Sequence, residues 1–138
     1  MKKALLLVIA ALMVPSVALA AKSAPTKHGN GAPKVTYVLK GTLSNYQAYG
    51  SSIYTESGTI TIVVRHSNRH GKALKGQTLT FPLDAKSKIS LADGLTTITD
   101  GDRGIVKVRA AKNIAAADLA ATLQAIPARQ VIDQGPSS

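Results

Sequence analysis

The chain predicts a mainly β domain, a small antiparallel sheet of five or six strands closed as a barrel or stacked as a sandwich, with at most one short helix. Three observations carry this. From Lys34 onward apolar residues recur with a period of two, in short runs separated by glycine-rich connections. The connections include Asp93-Gly94 and Asp100-Gly101, turn dipeptides in which glycine supplies a positive φ. Strands at this spacing point to a sandwich or barrel, not to a parallel sheet.

The first 20 residues stand apart from that domain. Lys2 and Lys3 precede an apolar run of 11 residues, Ala4 to Val14, followed by Pro15-Ser16 and Ala18-Leu19-Ala20. This is the pattern of a secretory signal, with small residues placed for cleavage after Ala20. A spanning helix needs about 20 apolar residues, so a membrane anchor is not expected, and nothing after cleavage is expected to insert stably in a membrane. The chain is read as secreted, to the extracellular space or to a periplasm where an outer membrane exists. Residues 21–33 mix Lys, Gly, Pro and small polar side chains and read as a flexible leader. His28 lies in it and reads as solvated. Residues 34–133 are the expected β domain, and 134–138 a disordered tail.

Val35, Tyr37, Leu39, Gly41 and Leu43 alternate with Thr36, Val38, Lys40 and Thr42, a half-buried first strand. Residues 45–57, rich in Ser and Tyr, form a long hairpin connection. Ile60, Ile62 and Val64 share one face of the second strand. After a polar, basic connection over 66–76, Leu79, Phe81 and Leu83 define a third. Pro82 has no N–H to give, so it belongs at an outward, unpaired position or at a bulge near the strand's end. Ile89 and Leu91 make a short fourth strand, and Val106 and Val108 point inward from another, with Lys107 and Arg109 facing the other way. Asn113 is placed to cap a short helix over the alanine-rich stretch behind it. Leu123 to Ile132, interrupted by Pro127, reads as a closing strand.

Leu39-Lys40-Gly41-Thr42-Leu43 together with Asp100-Gly101-Asp102-Arg103-Gly104-Ile105-Val106-Lys107-Val108 resembles the strand and turn grammar of a group of uncharacterised secreted bacterial β-domains. Those domains look like small OB-type barrels. The similarity spans roughly residues 34–133, and Gly104-Ile105 departs from it by intervening before the Val106-Lys107-Val108 strand. It implies an OB-like barrel and brings no catalytic residue.

Residues 21–138 hold fifteen Lys and Arg against seven acids, a formal charge of +8, which favours anionic partners. The absence of cysteine excludes disulfides, so stability must come from packing and backbone pairing. No reaction is specified. His66 and His70 have the i, i+4 spacing of a metal pair on a helix, but Ser67, Asn68 and Gly71 argue against a helix there. Asp100 and Asp102 lack the later ligands of a calcium loop, and glycosidase chemistry needs two carboxylates flanking a cleft, whereas the single Glu, Glu56, falls in an expected loop. Catalytic residues, metal ligands and cofactors are therefore assigned none. The remaining candidate site is the basic connection: Arg65, Arg69, Lys72 and Lys75, with Tyr49 and Tyr54 of the preceding loop. Cations and planar rings together hold phosphates, sulfates or sugar faces. The expected partner is an anionic polymer of the cell envelope, met by a non-catalytic binding or structural module. A polyanion binder using the 65–75 loop is the sharper version, and a small hydrolase or metal-dependent enzyme the rival.

The exported product is expected to begin at Ala21. Mass spectrometry of the secreted protein checks this, and an intact Met1 on membrane-held protein would contradict it.

Overall fold

A computed structural model describes residues 32–50 and 57–137, half of which lie in six strands. The signal segment, His28, Tyr54 and Glu56 lie outside the described residues. The strands are β1 (Lys34–Gln47), β2 (Gly58–Ser67), β3 (Thr78–Leu83), β4 (Lys88–Ser90), β5 (Asp102–Ala111) and β6 (Gln130–Pro136), with one α-helix, α1 (Ala116–Gln124). They form one sheet in the order β3-β2-β1-β5-β6-β4, curled into an OB-like half-barrel. All pairs are antiparallel except β4 with β6. That exception to the expected antiparallel sheet follows from the chain path. β4 lies on the far side of β6, and the long passage through β5 and α1 gives the crossover that a parallel pair needs.

The alternation puts one face of every long strand into the interior. Tyr37, Leu39 and Leu43 of β1, and Ile60, Ile62 and Val64 of β2, are buried. Leu79, Phe81 and Leu83 of β3 meet them, as do Val106 and Val108 of β5 and Val131 of β6. Tyr37 is accommodated because its hydroxyl donates to the Ala111 carbonyl oxygen at 2.8 Å, so the phenol is itself paired beneath the sheet.

β1 runs further than the sequence pattern shows, to Gln47. Asn45 there takes a φ of 50°, and its amide donates to Asp100 Oδ1 at 2.8 Å. The basic connection after β2 is not an open loop: Arg69–Leu74 winds into a 3-10 helix whose Leu74 is fully buried. Asn68 ties it down, its Nδ2 donating to Thr36 O at 2.7 Å and its amide to Val38 O at 3.1 Å. These bonds also occupy the free edge of β1 beyond the end of β2.

Two expectations at the C-terminal end are corrected. Asn113 does not cap the helix, which begins at Ala116 with Ala115 at its N-cap position and no side-chain cap. Leu123 is not strand: it belongs to α1, where Leu119 and Leu123, one turn apart, both enter the core. Beyond Asp133, β6 continues to Pro136 with Gly135 buried, so the domain reaches into the segment read as a disordered tail.

The connection from α1 to β6 covers the open edge of β3. Gln124 Oε1 accepts from the Thr80 amide and Pro82 O from the Ala128 amide, each at 3.0 Å. A strand residue presents its N–H and C=O on the same side. Pro82 therefore has its missing donor on the edge away from β2, as its chemistry demands. Among the described residues, no helix is long and apolar enough to cross a membrane.

Replacing the fully buried Ile62 with Ala is expected to cost about 2–5 kcal/mol of stability. Denaturant unfolding measures it, and a change within error would mean that β2 does not face the core.

Candidate anion-binding surface

The interior of the half-barrel is apolar, and an unpaired charge there would cost several kcal/mol. Strand cations must therefore lie on outward phases. Lys34 and Lys40 of β1, Lys88 of β4, and Arg103, Lys107 and Arg109 of β5 all do so. On β2, Lys40 pairs with His66 and Gly41 with Val64, which leaves Arg65 as the extra residue of a bulge. A bulge re-aims side chains, and here Arg65 and His66 are both exposed. The strand carboxylates, Asp102 and Asp133, are inward and buried. Their charges are engaged by backbone: Asp102 Oδ2 accepts from the Thr99 amide at 2.9 Å, and Asp133 Oδ1 from the Gly135 amide at 2.8 Å. The sheet thus separates its charges by face.

Pairing register brings the outward cations together. Arg109 stands opposite Thr36, while Val38, Lys107, Gln130 and Lys88 lie in line across four strands. Lys107 Nζ donates to Gln130 Oε1 at 3.0 Å. The result is a cleft of about 290 Å³ walled by Lys86, Lys88, Lys107, Arg109 and Arg129. It continues into a neighbour lined by Lys34 and Asp84, the sole acid among the residues lining the clefts of this surface. Toward the other end of the sheet, Lys40, Arg65, His66 and Arg103 line a second cleft of about 290 Å³.

Such crowding is mildly unfavourable without a ligand. Two charges about 7 Å apart in water repel by roughly 0.6 kcal/mol, less in physiological salt. An oxyanion turns that repulsion into attraction, and each Arg offers it a planar two-donor fork. Arrays of this kind hold phosphate, sulfate or carboxylate groups.

The residues singled out by sequence are partly dispersed. Arg65 lines the second cleft and shares another with Lys75. Arg69 and Lys72 are exposed on the 3-10 helix and line none of these clefts. Tyr49 is exposed beyond the far end of the β1–β2 hairpin, since Gln47 pairs with Thr59 but Leu39 with Ser67. Eight strand residues separate those pairs, about 25 Å, so Tyr49 and the basic connection do not form one surface. Tyr54 lies outside the described residues. His66 and His70 also part: His66 faces outward, whereas His70 is half-buried with its ring edge-on to Tyr37, centroids 6.0 Å apart. Lys86, Lys88, Lys107, Arg109 and Arg129 were not assigned to a site by sequence, because they come from three separate segments. The available signal was the outward phase of Lys107 and Arg109.

No family model matches the chain, and neither curated proteins nor solved structures give a match.

If the cations of the first cleft serve a ligand and not the fold, Arg109→Gln should move stability by less than about 0.5 kcal/mol. Thermal unfolding checks this, and a loss of about 2 kcal/mol would make Arg109 a structural residue.

Proposed function

We propose that this chain is an exported, non-catalytic module that holds an anionic polymer at the cell envelope on the outer face of its sheet. The observation that carries the reading is the separation of charge by face: strand cations are outward, strand carboxylates inward and bonded to backbone amides. Because like charges repel, a one-sign surface lowers stability slightly and speeds encounter with the opposite sign. The outward cations meet their partner through register, in clefts wide enough for oxyanion groups and walled by Arg and Lys.

An enzymatic reading has less to support it. Among the residues lining the clefts Asp84 stands without a second carboxylate, and general acid and base work on a glycoside needs a pair. Asp100 and Asp102 are engaged in shaping the turn before β5, through the Asn45 and Thr99 amides. Export is supported by the N-terminal charge, apolar and small-residue pattern.

Chromatography on immobilised heparin separates the sheet face from the 3-10 helix. The double variant Lys107→Ser, Arg109→Ser should elute at distinctly lower salt than the parent, with little change in thermal stability. The variant Arg69→Ser, Lys72→Ser should shift less, since these two cations stand outside the clefts. A larger shift for the second variant would move the site to the connection after β2. Equal elution of all three would remove the polyanion reading.

A further inference from the structure

The two basic clefts are linked by a stripe of the outer face on which cations follow one another rung by rung. Outward along β5 stand Arg103, Ile105, Lys107 and Arg109, and the residue paired with Ile105 on β1 is Lys40. The one rung that lacks a cation on β5 therefore has it on the adjacent strand. Outward neighbours along a strand are about 6.6–6.8 Å apart. Arg109, Lys107, Lys40 and Arg103 consequently make a track of four cations over about 20 Å.

Such a track does not suit a lone small anion. One phosphate needs donors converging on a point, whereas these are spread at a near-constant pitch. Each exposed contact is weak in water, so retention requires several made together by one chain. Between the cations, on the same outward face, lie half-buried Val38, Ile105 and Ile132, with Val38 paired to Lys107 and Ile105 to Ile132. The outward positions of β1 and β5 along the track are Thr, Val, Lys, Ile and Arg. Bases of a single strand are gripped by successive aromatic platforms; the outward side chains of these two strands provide none, and beside the track there is a single ring, the His66 imidazole opposite Lys40.

We infer that the ligand is a flexible linear polyanion lying along β5 from Arg109 to Arg103, held by its repeating oxyanion groups and not by any ring between them. This rests on the polyanion reading above and adds the path, the minimum length and what is recognised.

Titration calorimetry with four probes tests it: tripolyphosphate, a polyphosphate long enough to cover about 20 Å, oligothymidylate of that reach, and an abasic oligodeoxynucleotide of the same length. The long polyphosphate should bind at least about tenfold more tightly than tripolyphosphate, through linked contacts. Its affinity should fall with salt at a logarithmic slope of about −3, four contacts at about −0.7 each. Arg103→Ser should reduce that slope by about 0.7 and weaken the long chain by a larger factor than tripolyphosphate, which can still occupy the cleft at the other end of the track. The thymidylate and abasic chains should bind alike, within about twofold, as contacts to backbone charge are indifferent to the base. Equal affinity for short and long polyphosphate, or an unchanged slope in Arg103→Ser, would confine the ligand to one cleft and overturn the track alone. Thymidylate binding about tenfold more tightly than its abasic counterpart would show that rings are held. If none of the four binds at low salt, the polyanion reading itself fails.

Discussion

A β-strand gives alternate residues to two faces, and β1 must satisfy that rule against two partners at once. Residues 34–42 pair with β5 and residues 39–47 with β2, so the middle of the strand is held from both sides. At this overlap the backbones come unusually close. Gly41 stands opposite Gly104, a Cβ on Gly41 would strike the Val63 backbone, and one on Gly104 would strike the Leu43 side chain and the Ile132 carbonyl. Two glycines in register let the sheet fold tightly over Leu39, Leu43, Ile62 and Val106, all buried. With the interior filled, every strand position of the other phase is committed to the outside.

The charge pattern is a consequence of that commitment. Lys and Arg on outward phases share their face with half-buried Val38, Ile105 and Ile132. Asp102 and Asp133 sit inside with one oxygen each accepting from a backbone amide, of Thr99 and Gly135, while Asp133 Oδ2 is buried without a partner. The same sheet geometry that builds the core therefore concentrates one sign of charge on the opposite face. Side chains standing out from that face line its clefts, and the β2 bulge adds Arg65 and His66 to the cations of β1 and β5. The proposed binding surface is carried mostly on paired strands, with Lys86 and Arg129 added from the connections beside β4 and β6.

Much of the strand layout was legible in sequence because period two is a local property. Ile60, Ile62, Val64, Leu79, Phe81 and Val106 could be placed inward from their own neighbours alone, and all are buried. The ends of elements were less legible. Leu123 reads as strand beside Ile126, Val131 and Ile132 until it is paired with Leu119 at helical spacing. Asn113 has the chemistry of a cap, yet it precedes the helix by three residues. The site was the hardest part, for a physical reason. Arg65, Arg69, Lys72 and Lys75 are close along the chain and attract notice, whereas Lys88, Lys107 and Arg129 become neighbours only through the pairing of β4 and β5 with β6. Sequence proximity selected the connection, and register selects the sheet face.

The central claim is that the outer face, and not the 3-10 helix, receives the anion. Backbone amide shifts followed by NMR during titration with a polyanion address it residue by residue. The account predicts that the largest changes fall on Arg103, Lys107, Arg109 and Gln130 and fade as salt is raised. Changes concentrated on Arg69 to Lys75, with β5 and β6 unmoved, would contradict it.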